Sequence, residues 1–118
     1  APDAERAAAR HELAGGLGDF LAAAAFLLGD GGRLYLVYLA ERLAELLEAM
    51  RAAGLEPKRL RCVHSRPGEA ARLVLVEGRR RGRAGLTLEP PLFIYDGTGY
   101  SAEVTTFYAP TGADGDGQ

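Results

Sequence analysis

Arg33-Leu34-Tyr35-Leu36-Val37-Tyr38-Leu39 is apolar at every position after the first, and it follows the turn-forming Gly29-Asp30-Gly31-Gly32. A run this short, bounded by glycines, predicts a strand covered on both faces, as in a parallel α/β sheet. Glu41 to Ala53 then returns to helical period. Leu43, Leu46, Leu47 and Met50 fall on one face, and Glu41, Arg42, Glu45, Glu48 and Arg51 elsewhere. Gly54 ends that helix, and Pro57 keeps it from resuming. Arg59 to Ser65 reads as the next strand, so strand, helix and strand make one crossover unit. Arg72 to Gly78 is a third strand, reached through Arg66-Pro67-Gly68-Glu69. A link that short cannot cross over, which makes the last two strands antiparallel neighbours.

On the N-terminal side, Leu17, Phe20, Leu21, Ala24, Ala25 and Leu28 form one stripe of an amphipathic helix, stopped by the glycines at 29, 31 and 32. Ala1 to Gly16 is alanine-rich without a sustained apolar stripe. On the C-terminal side, short strand signals occur at Leu86 to Leu88, Leu92 to Tyr95 and Glu103 to Tyr108, with Asp96-Gly97 as a turn. Ala109 to Gln118, rich in glycine and aspartate, reads as a flexible tail behind a domain portion spanning residues 1–108.

With 118 residues, 47% of them hydrophobic and 25% charged, the chain has material for one small core and is too apolar for intrinsic disorder. No apolar run approaches the roughly 18 residues of a membrane span, so no membrane partner is expected. The single cysteine, Cys62, has no partner for an internal disulfide, and with only His11 and His64 it cannot complete a zinc site. A reducing, cytoplasmic setting and no metal are the expectations.

A formal net charge of −2 conceals a division along the chain. Residues 57–85 carry nine basic against two acidic side chains, while residues 1–56 carry five against nine and residues 86–118 none against five. The middle third therefore predicts a local basic surface on an acidic molecule. Thirteen of the fourteen basic residues are arginine, in a chain also rich in alanine and glycine, which reads first as the imprint of a GC-rich genome.

A doubly wound nucleotide-binding fold needs a glycine-rich turn after its first strand, where backbone amides receive the ligand. None follows Leu39. Gly29-Asp30-Gly31-Gly32 comes after a helix and before a strand, the reverse order, and is punctuation. The strand Arg33 to Leu39 is thus left with an open edge, to be covered by another chain, a second copy or a missing segment.

Several segments follow one another in a familiar order: Ala9-Arg10-His11-Glu12; Leu27-Leu28-Gly29-Asp30-Gly31-Gly32-Arg33-Leu34-Tyr35-Leu36-Val37; Glu41-Arg42-Leu43; Gly54-Leu55-Glu56-Pro57-Lys58-Arg59-Leu60-Arg61-Cys62-Val63-His64; and Pro90-Pro91-Leu92-Phe93-Ile94-Tyr95 before Tyr100 and Glu103. Together they resemble the C-terminal half of the bacterial adenine-N6 methyltransferases that modify valine tRNA, within the small-domain class of S-adenosylmethionine-dependent methyltransferases. The similarity covers Arg6 to Tyr108. It implies the C-terminal half of a class I, Rossmann-like α/β fold: a mixed sheet in which the last antiparallel strand lies between two parallel ones, with helices packed on it. It also implies tRNA as the parent's partner and S-adenosylmethionine as the parent's cofactor. The family's glycine-rich cofactor loop and Asn-Pro-Pro-Tyr motif would lie in a missing N-terminal half. No catalytic or cofactor-binding residue is therefore expected in this chain, which by itself would be inactive.

Among candidate contact residues, Arg79-Arg80-Arg81 with Arg83 is the densest charge run, suited to neutralising RNA phosphates or else a solvated loop. Lys58 and Arg61 join it as candidates, and Arg59, Arg66 and Arg72 on neighbouring strand ends would make the patch continuous. Arg10-His11-Glu12 would border the target loop in the resembled family, although adjacent helical residues do not face each other. His64 reads as a half-buried histidine satisfied by a backbone carbonyl, and Cys62 as a small core residue. Tyr95, Tyr100, Phe107 and Tyr108 can stack on bases or pack a terminal hairpin. Two further roles stand beside the enzyme: a non-enzymatic RNA-binding module, and a homodimer joined through the edge of Arg33 to Leu39.

Overall fold

The computed structural model describes residues 16–108. Helix α1, Leu17–Leu28, leads into strand β1, Arg33–Leu39, and a 3-10 turn, Ala40–Arg42, opens helix α2, Leu43–Ala52. Strands β2, Leu55–His64, and β3, Ala71–Arg80, form a long hairpin. Four two-residue strands follow: β4, Thr87–Leu88; β5, Leu92–Phe93; β6, Tyr95–Asp96; and β7, Gly99–Tyr100. Helix α3, Ala102–Tyr108, closes the described chain.

The main sheet runs β1-β3-β2-β4, with β5 also on β2. β3 pairs antiparallel with both β1 and β2, so those two run parallel with β3 between them, in the arrangement expected from the short hairpin link. β4 and β5 pair parallel to β2. Gly29 at φ 73 and Gly54 at φ 80 end the two long helices in a left-handed conformation that a Cβ would oppose.

One face of the sheet carries the core. Leu55 and Leu60 of β2 and Val74 and Val76 of β3 pack under Leu17, Leu21 and Ala25 of α1 and Leu46 and Met50 of α2. Each such side chain withdrawn from water is worth about 1.5–3 kcal/mol when it is as large as Leu or Met. Gly78 leaves room for this seating: a Cβ there would stand 2.5 Å from Met50 Cε.

Four expectations need correction. β1 is not covered on both faces; its burial alternates, with Tyr35 67% and Val37 62% exposed, because no described element lies over its second face. β2 begins at Leu55 rather than Arg59, since Pro57 is accommodated where the register shifts between Pro57 and Arg59, an irregularity that spares the ladder a missing donor. Residues 103–108 form a helix, not a strand. The Ser101 hydroxyl accepts a hydrogen bond from the Val104 amide at 3.2 Å, and this cap outweighs the strand preference of Val104, Thr105, Thr106 and the aromatics. The segments at 86–88 and 92–95 shrink to two-residue strands, the second divided between β5 and β6.

Candidate nucleic-acid interface

The antiparallel register of β2 and β3 sorts the basic residues by position along the hairpin. Arg66 and Arg72 sit at the turn end, near the pairing of His64 with Ala71, whereas Arg79 and Arg80 sit opposite Glu56 and Leu55 at the far end. At about 3.3 Å per residue, Arg72 and Arg79 are about 23 Å apart. The basic residues thus form separate groups rather than the continuous patch expected from the sequence.

The first group surrounds residues 79–83. Arg80 donates through Nη1 to the Ala25 carbonyl at 2.6 Å, tying β3 to α1. Lys58 donates through Nζ to the Arg83 carbonyl at 2.6 Å, so its ammonium holds the loop it was expected to accompany. Arg81 has φ 58, the one non-glycine residue with positive φ among those described, and its side chain is 71% exposed. Arg79 and Arg83 are exposed, with no ion pair among the described residues.

A second group lies on the sheet face away from the helices. Glu77, 7% exposed, accepts from Arg59 Nη1 at 3.2 Å and lies 3.7 Å from Arg33 Nε. Arg59 Nε also donates to Glu89 at 3.0 Å. That hydrogen bond, then the attraction of Glu89 and Glu77, raises the Arg59 pKa above its ordinary value, so the guanidinium stays charged. Arg61 donates to the Pro90 carbonyl at 2.8 Å and to Glu103 at 2.5 Å, fastening the C-terminal segment to β2. There Val63, Leu92 and Val104 make a small second core with Leu75 and Ile94. Beside it a groove of about 380 Å³ is lined by Tyr35, Val37, Leu75, Arg59, Glu77 and Glu89.

At the turn end, the Arg66 guanidinium lies 4.9 Å from the Tyr95 ring centroid, and Tyr95 stacks on Tyr100 at 5.5 Å. These aromatics pack the β6-β7 hairpin. His64 Nδ1 is 2.6 Å from the Glu69 carbonyl, the half-buried and satisfied state expected of it, and Cys62 packs against the main core. Arg10, His11 and Glu12, like residues 109–118, lie outside the described residues.

Sequence reasoning missed Asp30 and Glu77. Asp30 was read as punctuation, yet its carboxylate reaches Arg81 Nε at 3.5 Å and Arg80 Nε at 4.0 Å. Glu77 carried a signal, being the one acidic side chain inside the apolar run of β3.

No family model matches the chain, and no curated protein matches it. Among solved structures, a predicted O-methyltransferase from Agrobacterium tumefaciens superposes with a TM-score of 0.68 and 27% identity, over 75% of this chain and 43% of that one. This is a methyltransferase-type fold. The chain spans less than half of that relative's length. The methyltransferase-type sheet seen here is the mixed, Rossmann-like one expected, with β3 antiparallel between the parallel β1 and β2. Among the described residues, β1 runs directly into the 3-10 turn Ala40–Arg42 with no glycine between them. No described group of three or more His, Cys, Asp or Glu side chains could hold a metal ion, and no described helix is long and apolar enough to cross a membrane.

Proposed function

We propose that this chain is the C-terminal, target-side portion of an S-adenosylmethionine-dependent RNA methyltransferase acting on an adenine N6 amine of tRNA. The observation that carries the reading is the superposition on a predicted O-methyltransferase over 75% of the chain but 43% of the relative, which leaves room for a cofactor half elsewhere. Two features support it. The ordered segments resemble the valine-tRNA enzymes, and β1 presents an open edge, pairing with β3 alone among the described strands. RNA contact falls to Arg79, Arg80, Arg81, Arg83 and Lys58, whose charges would neutralise backbone phosphates. Arg61 contributes indirectly, by holding residues 90–103 on β2.

The test compares this chain with the longer protein that the reading requires. Calorimetric titration of the chain alone with S-adenosylmethionine should show no binding. The longer protein should transfer a labelled methyl group to adenine N6 of a tRNA transcript. Micromolar cofactor binding by the chain alone, or methylation confined to oxygen nucleophiles of small molecules, overturns the reading.

A second reading has its own observation. Among the described strands nothing pairs with the outer edge of β1, which lies beside the exposed Tyr35 and Val37 and offers the makings of a two-fold homodimer with a continuous sheet. Light scattering that finds a monomer at high concentration removes it.

A further inference from the structure

Three successive arginines at the end of β3 converge on the Gly29–Gly32 turn, although neighbouring strand residues point to opposite faces. Arg79 Nη2 comes within 4.0 Å of where a Cβ on Gly31 would stand. Arg80 and Arg81 both approach the Asp30 carboxylate, at 4.0 Å and 3.5 Å. The third member is brought in by its backbone. At φ 58, Arg81 departs from the strand in a conformation that L residues other than glycine, asparagine and aspartate seldom take.

The platform beneath them is tied at each step. Gly31 N–H donates to the Arg80 carbonyl at 3.0 Å, Arg80 N–H to the Gly32 carbonyl at 2.8 Å, Arg81 N–H to the Gly54 carbonyl at 3.0 Å and Gly82 N–H to the Arg79 carbonyl at 3.1 Å. The backbone that carries these arginines is thus anchored to its neighbours, unlike that of a solvated loop. What they face is undersized. Charge-assisted hydrogen bonds close to about 2.7–2.9 Å, and both Asp30 contacts are looser than that. One carboxylate, itself 70% exposed, serves two guanidiniums that carry five donors each, of which Arg80 gives Nη1 to the Ala25 carbonyl.

We propose that Asp30 occupies the seat of a phosphate group, and that a backbone phosphate of bound RNA displaces its carboxylate and takes the Arg79–Arg81 donors. This rests on the RNA reading above and adds to it a location and a built-in competitor. An exposed ion pair is weak and readily exchanged, while a phosphate offers more acceptor oxygens and more charge to planar guanidinium forks. Asp30 therefore lowers the affinity of every anion that must displace it, RNA included, so that only one engaging several of these arginines at once binds well against it.

The experiment uses the full chain with two probes, a fluorescently labelled tRNA transcript and inorganic tripolyphosphate, each titrated over a range of salt. Asp30→Asn should tighten both by about three- to ten-fold, while Glu69→Gln, the same charge change at the other end of the hairpin, moves them less than about two-fold. Arg81→Gly should weaken tRNA binding several-fold and reduce the slope of log K against log salt by about one. Its unfolding temperature should stay level or rise, because glycine accepts the left-handed conformation; Arg72→Gln is its charge-matched control. Asp30→Asn no tighter than Glu69→Gln, or Arg81→Gly no weaker than Arg72→Gln, overturns the proposal. A response to tripolyphosphate without one to tRNA overturns RNA as the source of the phosphate. Failure of methyl transfer by the longer protein, by contrast, leaves all of these binding readouts standing.

Discussion

The two faces of the sheet are made by the same three strands and have opposite fates. On one, Leu60, Val74 and Val76 vanish beneath α1 and α2. On the other, the C-terminal segment covers only Val63 and Leu75, and the rest is given to Tyr35, Val37 and the Glu77 ion pairs. Alternation along a strand fixes which residues share a face, but a face stays covered only if some other element lies on it. The difference teaches that an apolar strand reports its capacity to be buried and not its actual cover.

The comparison can be broken most sharply on the helix side. Leu46 is fully buried in α2, and Leu46→Ala should cost about 2–5 kcal/mol in urea unfolding, a large part of the stability of so small a domain. A loss below about 1 kcal/mol would mean the two faces contribute alike. On the other side Glu77→Ala leaves Arg33 and Arg59 without their shared carboxylate. Breaking a wholly buried pair costs about 3–5 kcal/mol, but these arginine side chains are 54% and 59% exposed, and Arg59 keeps Glu89. The expected loss is therefore smaller, about 1–2 kcal/mol. The smallest effect belongs to the open part of the second face. Val37→Lys should change the stability of the isolated chain by no more than about 0.5 kcal/mol. A marked loss in that variant, accompanied by a fall in light-scattering mass, would place a partner copy on this surface.

Much of the architecture was legible in the sequence. The glycines at 29 and 54 marked both long-helix ends, and the four-residue link at 66–69 dictated the antiparallel hairpin because no crossover fits in it. The helix at 102–108 was not legible from residue preference, since Val104 and two threonines favour a strand, and the deciding contact was a serine cap before them. The basic site was half legible. The run at 79–83 advertised itself, and the link at 66–69 already set Arg66 and Arg72 at the opposite end of the hairpin, but nothing local showed that Arg61 and Lys58 would be taken up by Glu103 and the Arg83 carbonyl.

From the order of its residues alone, this protein's two long helices, main strands, hairpin and basic middle third follow, because period, punctuation and charge are local properties of a chain. Which face is covered, which arginines are engaged and where Asp30 and Glu77 find their partners were decided by tertiary structure. Those outcomes depend on groups far apart in sequence, Arg59 with Glu89 and Asp30 with Arg81, which only the folded register of β1, β2 and β3 brings within reach.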